Sequence, residues 1–359
     1  MRPAIVRLRD QRATKGQHPG LLLQRYLCEN ATGDSGNPEE KRAILLAAIN
    51  AAANNEVRQL YQAAFSRWKQ SLPEMTATTE LHTAGRLIVG LGSENVLETG
   101  ITLHHTYGLP VLPGSGLKGL AAHYCHTVWG EAEPKFKKPT PEEDKAYRKW
   151  LDGQGPKPQD NYHRLLFGTT DESGCILFHD GWFVPDSEKE PLKLDVMTPH
   201  HLNWLDGSVP PTDFDSPTPV PFLSVSGKFY VAVSWCGPAN DRSRNWTELT
   251  LSLLADALHH WGIGGKTTSG YGRLTVPPPP PPPSPYKGKT NDVIEAVLLE
   301  EKTKKGGWRA QIKGYSQVGP IQNSDQVPAD AKPGDVVRLV IASINEREVQ
   351  FRWPSSTKK

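Results

Sequence analysis

The spacing of apolar residues predicts an amphipathic helix in the first quarter of the chain. Five of them recur at intervals of three or four residues, which places them along one face of a helix. They are Val57, Leu60, Tyr61, Ala64 and Trp68. Another helix is expected to begin upstream at Asn37 and Pro38, because asparagine caps a helix and proline suits its first position.

Beyond about Thr78 the apolar positions alternate or form short runs bounded by glycine and proline, which is typical of strands. Strands are predicted over residues 81–89, 96–103, 175–179, 229–235 and 273–276. Helical spacing returns over residues 117–129 and 251–261. Strands and helices mixed in this order favour an α+β fold over a doubly wound parallel sheet.

A run of seven prolines, at residues 277–283, is incompatible with a helix or an interior strand. It predicts an extended polyproline linker over residues 277–285. Short strands are predicted beyond it at residues 293–299, 308–312, 336–341 and 349–353. Their number and spacing fit a small β-barrel of the oligonucleotide-binding (OB) type.

These patterns divide the chain into four segments. We predict a basic arm with a helical region at residues 1–75, an α+β domain at 76–276, the linker at 277–285 and an OB-like β module at 286–359. The 32 prolines in 359 residues exceed the average proline content of about 5%, and the linker accounts for part of that excess.

Charge and cysteine content exclude several classes of protein. The 41 Lys and Arg against 39 Asp and Glu leave a net charge of +2, which by itself predicts neither nucleic-acid nor membrane-surface binding. The four cysteines lie at least 50 residues apart, which argues against a zinc site or a disulfide framework. No apolar run approaches the ~18 residues of a membrane span. We therefore expect a soluble cytoplasmic protein.

The glycine-rich residues 262–273 hold the strongest local signal. Five glycines allow backbone N–H groups to approach phosphates closely, while Lys266 and Arg273 supply positive charge. The Gly-Lys-Thr at residues 265–267 resembles the end of a nucleotide-binding P-loop, but that motif requires glycine where His260 stands. A structurally permissive turn is the alternative interpretation.

Residues 114–119 read Gly-Ser-Gly-Leu-Lys-Gly and introduce a predicted helix. They match the dinucleotide-binding pattern G-x-G-x-x-G, but Pro110 and Pro113 interrupt the strand that this fingerprint needs upstream. A helix start still offers unpaired N–H groups to an anion, here beside Ser115 and Lys118. Phosphate binding is therefore one interpretation, and a turn that lets helix and sheet pack closely is the other.

Pairs of histidines raise the question of metal binding. His123 and His126 are three residues apart on a predicted helix, as two metal ligands would be, but the sequence shows no third ligand. Packing or surface roles are therefore preferred, and no metal or other cofactor is expected.

His104 and His105 are candidates for RNA contact or general-base chemistry, because they follow a predicted strand near the Gly114 helix start. The only acids in that part of the sequence are Glu94 and Glu98. This part of the sequence therefore offers few carboxylates that could assist a histidine in cleaving RNA.

The OB-like module carries aromatic residues with two possible roles. Trp308, Tyr315, Phe351 and Trp353 either stack on bases, beside Lys304, Lys305 and Arg309, or fill the barrel core.

Several separated motifs, taken together, resemble the repeat-associated mysterious protein (RAMP) superfamily of CRISPR systems. They occur at residues 103–119, 166–168, 178–180, 195–201, 219–223 and 264–272. Their combination is most similar to a RAMP subunit of the type III-B (Cmr) effector complex. The resemblance covers about residues 81–276, and the linker and β module are departures from the family pattern.

The resemblance implies a ferredoxin-like, RRM-like RAMP core and a non-catalytic RNA-binding subunit of a ribonucleoprotein in antiviral defence. Such subunits lie near the 3′ end of the CRISPR RNA (crRNA). The implied partners are the crRNA, complementary target RNA and other Cmr subunits, namely the backbone RAMP subunits, the small subunit and the large polymerase-like subunit, with no membrane. The residues expected to contact RNA are Gly114, Ser115, Gly116, Lys118, His104, His105, Lys266, Thr267, Gly270, Tyr271 and Arg273.

Two alternatives stay open. A RAMP-type metal-independent endoribonuclease acting on CRISPR RNA would use His104 or His105 as its general base and would cut RNA in the presence of a chelator. A scaffold would dock a protein partner through its β module, so that deleting residues 286–359 would change complex assembly but not RNA affinity.

Overall fold

The computed structural model describes most of the chain. The described residues are 17–26, 38–199, 207–210, 212–213, 218–276, 286, 288–303, 306–328, 331–344 and 349–354. The proposed basic arm, the Asn37 cap, the polyproline linker, Lys304 and Lys305 lie outside them. The chain divides into two compact units, Met1–Pro277 and Pro278–Lys359, and each has its own hydrophobic core. The finer boundary at residues 75–76 stays a prediction.

The first unit combines helices with short strands. Its described helices are α1 (Pro19–Arg25), α2 (Pro38–Ala52), α3 (Asn55–Gln70), α4 (Gly114–Tyr124), α5 (Gly130–Ala132), α6 (Pro141–Leu151), α7 (Tyr162–Phe167) and α8 (Ser243–His260). Its described strands are β1 (Thr76–Thr83), β2 (Val111–Leu112), β3 (Ile176–Phe178), β4 (Gly181–Phe183), β5 (Leu192–Met197), β6 (Val220–Val225), β7 (Lys228–Trp235) and β8 (Leu274–Thr275). The α+β class and the N-terminal helices are confirmed.

The main sheet of this unit is antiparallel and centred on β7. Its strand order is β2-β4-β7-β1-β8, and β3 also pairs with β7. The β1–β7 register places Thr76 opposite Ser234. Phe229, Val231 and Val233 are fully buried on one face of β7, as their alternation predicts, but Ala232 and Ser234 are buried as well, so this part of the strand is covered on both faces rather than half-buried. Helix α8 packs on β1 and β7 and also contacts α4, while β5 and β6 form a separate two-stranded sheet.

Helix α3 packs on this sheet through aromatic rings. Trp68 stacks on Trp182 with ring centroids 5.0 Å apart, and Tyr61 and Phe65 are buried. Leu60 belongs to the predicted apolar face but is 59% exposed. The buried face is therefore rotated towards Phe65, because the large rings make the contact with the sheet.

The strand predicted over residues 96–103 is wrong. The side chain of Asn95 accepts a hydrogen bond from the Leu97 N–H at 2.8 Å, and Glu98 has a φ of 59°. This side-chain bond to the backbone and the left-handed residue turn the chain locally and prevent an extended ladder. The preceding strand also differs, since β1 ends at Thr83 rather than near residue 89.

The helix predicted over residues 117–129 is present, but it begins earlier. It begins at Gly114 and continues after Tyr124 as a π-helix over Cys125–Trp129. The consequence is that the whole Gly-Ser-Gly-Leu-Lys-Gly motif lies on the first turns of α4.

The second unit is a nearly closed antiparallel barrel, which confirms the OB-like prediction. Its described strands are β9 (Val293–Lys302), β10 (Trp308–Ile312), β11 (Val318–Pro320), β12 (Val336–Ile344) and β13 (Val349–Arg352). They pair in the order β11-β10-β9-β12-β13, and a bridge between Ile321 and Phe351 joins the two edges. Strand β11 was not predicted because three residues are too short to show alternation.

Two further observations on the described residues concern membrane-spanning helices and cysteines. Among the described residues, no helix combines the length and the apolar character that a bilayer crossing requires. Cys125, Cys175 and Cys236 are free thiols.

Candidate nucleic-acid interface

The start of α4 is positioned by a carboxylate from a distant part of the chain. The Gly114 N–H donates a hydrogen bond to Asp180 Oδ1 at 2.7 Å. A Cβ at Gly114 would lie 2.4 Å from the Phe178 carbonyl oxygen, so only glycine allows this approach. The Gly114 amide, predicted to meet phosphate, is therefore already bonded to the protein itself.

The rest of the first turn of α4 faces outward. The Leu117 N–H donates to the Pro113 carbonyl oxygen, whereas Ser115 and Gly116 are exposed. Amides of a helix's first turn have no partner within the helix. Ser115, Gly116 and the half-buried Lys118 are therefore the parts of this motif that an anion can reach.

The glycine-rich loop is anchored to the segment that follows β1. The Gly265 N–H donates to the Ile88 carbonyl oxygen at 2.7 Å, and the Gly272 N–H donates to that of Arg86 at 2.8 Å. The Lys266 carbonyl oxygen accepts two N–H groups from further along the loop. Because these amides are used internally, the loop would contact phosphate mainly through its side chains.

Tyr271 is tied to the small β5–β6 sheet. Its hydroxyl donates to Asp195 Oδ2 at 2.7 Å, and Arg86 Nη1 lies 3.4 Å from the same oxygen. Burial, with this hydrogen bond, raises the pKa of Tyr271 to about 12. The hydroxyl of Tyr271 therefore orients the loop, and Arg86, which carries no sequence signal, is the partner that sequence reasoning missed.

The start of α4 and the glycine-rich loop pack against each other. A Cβ on Gly116 would lie 3.6 Å from Ile263 Cδ1, which is ordinary contact distance. The fold thus brings together two motifs that are distant in sequence.

Three cations of the two glycine-rich segments have no ion-pair partner among the described residues. Within the part of the chain that the structure describes, Lys118, Lys266 and Arg273 form no ion pair, although Lys266 and Arg273 flank the anchored loop. Other basic residues do form ion pairs: Arg58, Arg86, Arg148, Arg164 and Lys193. Thr267 is half-buried, and Gly270 is exposed with no atom within 4 Å of its Cβ position.

Comparison with known proteins assigns this arrangement to a family. A family model described as the RAMP superfamily matches residues 74–275, more than half of the chain. The CRISPR system Cmr subunit Cmr6 of Pyrococcus furiosus is 31% identical, over 60% of this chain and 73% of that protein. The chain belongs to the RAMP superfamily, as a member of its Cmr6 family.

Two solved structures are also similar to this RAMP chain. The crystal structure of Cmr6 from Pyrococcus furiosus covers 56% of this chain and 97% of its own, with 30% identity and a TM-score of 0.33. The cryo-EM structure of the type III-B Cmr-beta bound to cognate target RNA matches over 77% of this chain and 88% of its own. The sequence identity is 16% and the TM-score is 0.46. Because both TM-scores are below 0.5, the family assignment depends on the sequence matches.

His104 lies within the RAMP region, and its environment differs from the sequence-based expectation. Its ring is edge-on to Trp182 at 4.8 Å between centroids, and His105 is exposed. Burial lowers the pKa of His104, while the Asp180 carboxylate acts in the opposite direction. The sequence supplied only glutamates near this histidine, but the fold places the Asp180 carboxylate close enough to act on it electrostatically.

The remaining histidine pair does not form a metal site in the described structure. His126 Nδ1 accepts the Lys138 N–H at 3.0 Å, and the His123 ring lies edge-on to Trp261. No group of three or more metal-ligating side chains occurs among the residues described.

The aromatic residues of the second unit, which lies outside the RAMP match, have different environments. Phe351 is fully buried and belongs to the barrel core. Trp308 is half-buried beneath the Lys302 ammonium, and Tyr315 packs edge-on against Tyr286. Base stacking therefore stays a prediction for Trp308, Tyr315 and Trp353 alone.

The electrostatic effect of Asp180 on His104 and His179 can be tested by titration. Replacing Asp180 by asparagine is expected to lower the pKa of both His104 and His179 further, because the carboxylate favours the protonated ring of each. The imidazole Cε1 resonances, followed by NMR against pH, measure these values. Asp186→Asn is the control, since Asp186 pairs with Arg58 instead. Unchanged titration of both histidines in Asp180→Asn would contradict the arrangement.

Proposed function

We propose that this chain is a non-catalytic RNA-binding subunit of a type III-B CRISPR (Cmr) ribonucleoprotein effector complex. It contacts the crRNA and its duplex with target RNA near the crRNA 3′ end. Its partners are the crRNA, complementary target RNA and the other Cmr subunits. Membership of the Cmr6 family supports this assignment, because that relative is named as a Cmr subunit of a CRISPR system.

One observation carries the RNA-binding part of the proposal. Lys118, Lys266 and Arg273 belong to two glycine-rich segments that pack against each other, and none of the three forms an ion pair with the described residues. Exposed glycines next to unpaired cations let a phosphodiester backbone approach without steric hindrance. Contacts of this kind neutralise phosphates and do not read base sequence. The contacts of these three cations are therefore expected to be independent of base sequence.

Loss of two of these cations tests the function. The double change Lys118→Ala/Lys266→Ala is expected to weaken RNA binding about tenfold near physiological salt, for every sequence tested. Two lost phosphate contacts on single-stranded RNA should also reduce the slope of log affinity against log salt by about 1.4. Fluorescence anisotropy of a labelled RNA over a series of salt concentrations measures both quantities.

The double change Lys145→Ala/Lys149→Ala is the matched control. It removes the same charge from the exposed α6, away from the glycine-rich segments. If both doubles weaken binding equally, only net charge matters and the proposed interface is wrong. If neither changes affinity, the RNA-binding function itself fails.

The endoribonuclease alternative has one observation in its favour, because the Asp180 carboxylate acts electrostatically on His104. A carboxylate next to a neutral imidazole is an arrangement that general-base catalysis uses. RNA incubated with the purified chain in chelator is expected to stay intact. Cleavage that is lost in His104→Ala would contradict the non-catalytic proposal.

A further inference from the structure

A cavity of about 480 Å³ lies between α1 and the irregular segment at residues 93–106. Pockets that hold small molecules typically measure about 300–1,000 Å³. The volume is therefore sufficient for a nucleobase with part of its sugar.

The cavity has an apolar floor and a polar rim. The floor includes Leu23, Leu45, Leu97, Leu103 and Leu223. The rim includes His18, Ser93, Glu94, His104, His105 and Thr106. A flat heteroaromatic ring suits this combination, since its faces pack on apolar groups and histidines while its edge makes hydrogen bonds.

One rim histidine has an unused hydrogen-bonding atom. His18 Nδ1 accepts the Leu21 N–H at 3.2 Å, which caps α1. His18 Nε2 is buried and has no hydrogen-bond partner among the described residues. Because solvent does not reach this atom, it does not face the open cavity, which is lined by other atoms of His18.

The charges of the lining indicate what enters the cavity. No lysine or arginine is among its described lining residues, and Glu94 is exposed at the rim without an ion pair there. Among the described residues, a phosphate would therefore find no lysine or arginine as a countercharge in this site. A carboxylate accepts hydrogen bonds only, so Glu94 favours a neutral group that carries N–H donors.

One lining residue of the cavity is related to the start of α4 through Asp180. His104 lines the cavity and is close enough to Asp180 for the carboxylate to influence its pKa, and Asp180 holds the first amide of α4. An RNA base enters the cavity only if the backbone that lies along Ser115 and Lys118 also reaches its mouth. A protein segment would need no such continuity.

We propose that this cavity receives one unstacked nucleobase of the bound RNA and prefers a base with an exocyclic amino group over uracil. This inference depends on the RNA-binding function proposed above. Glu94 accepts the amino group, and the leucine floor packs against the ring face. The phosphates stay outside, at the cations of the glycine-rich segments.

The test compares RNAs that differ at one position. A 12-nucleotide oligouridine and versions with one central guanosine, adenosine or cytidine are bound to the full chain and followed by anisotropy. An amino-bearing base is expected to tighten binding about tenfold over uridine. Glu94→Gln should lose most of this preference, because its amide can donate to the uracil carbonyls.

Leu21→Trp should block the cavity and make all these RNAs bind with one affinity. Leu21 is a lining residue that is 46% exposed, so the larger ring is accommodated without disturbing the core. Leu46→Trp is the matched control, at a leucine that is 41% exposed and outside the lining. It should bind as the unchanged protein does.

Any result that differs from these expectations overturns the inference. Equal binding of all RNAs by the unchanged protein, or a preference that survives Leu21→Trp, excludes a base in the cavity. If Lys118→Ala/Lys266→Ala still weakens binding in that case, the proposed function stands and the cavity alone fails. A Leu21→Trp protein that keeps its RNA preference but loses a Cmr partner would assign the cavity to protein docking. If no RNA binds at all, both proposals fail.

Discussion

Gly272→Ala is expected to destabilise the first unit by about 3–5 kcal/mol. Gly272 has a φ of 80°, and an added Cβ would lie 2.1 Å from the Ile263 carbonyl oxygen. Left-handed backbone at a non-glycine residue costs about 1–3 kcal/mol, and forcing an atom into packed structure costs a similar amount. The clashing atom is backbone, so it has no rotamer through which to move away. Urea denaturation of the purified protein measures the loss.

Gly270→Ala separates the two contributions. Gly270 has a φ of 89°, but nothing lies within 4 Å of its Cβ position. It should cost only about 1 kcal/mol, from backbone strain alone. If the free energy of unfolding falls equally in the two variants, the contact of Gly272 with the Ile263 carbonyl oxygen is not tight.

Phe351→Ala is expected to destabilise the second unit by about 3–5 kcal/mol and to leave the first unit unaffected. Phe351 is fully buried in the barrel core, and truncating a buried phenylalanine removes packing and leaves a cavity. The two units have separate cores, so the loss should stay within one of them. Hydrogen exchange followed by mass spectrometry reports protection in each unit separately.

Val293→Ala is the control for this experiment, because Val293 lies in the same barrel but is 65% exposed. Its effect should be within about 0.5 kcal/mol. Faster exchange throughout both units of Phe351→Ala would mean that the units unfold as one, against the division into separate domains proposed from the sequence.

Sequence reasoning performed well where structure depends on neighbours along the chain. The alternation at Phe229, Val231 and Val233 identified the central strand, because successive side chains of a strand face opposite sides. It failed at residues 96–103, where the apolar pattern resembles a strand but Asn95 and Glu98 turn the backbone. Composition cannot show which side chains will bond to the backbone.

The candidate site was only partly predictable. The two glycine-rich motifs marked the segments that form the proposed interface, since glycine and lysine can be identified from the sequence alone. The bond from Gly114 to Asp180 and the tie from Tyr271 to Asp195 were not foreseen. The RNA contacts of the two glycine-rich motifs stay predictions until the RNA affinity of the lysine variants is measured.

The sequence by itself determined the α+β class, four of the five barrel strands and the family, because periodicity and ordered motifs are local properties of a chain. Only the tertiary structure decided that Asp180 holds the start of α4 and acts electrostatically on His104, that Gly116 packs on Ile263, and that leucines and histidines enclose a cavity. These contacts join residues far apart in sequence. Which such residues meet depends on the path of the whole chain and on side-chain packing, and no local pattern encodes either.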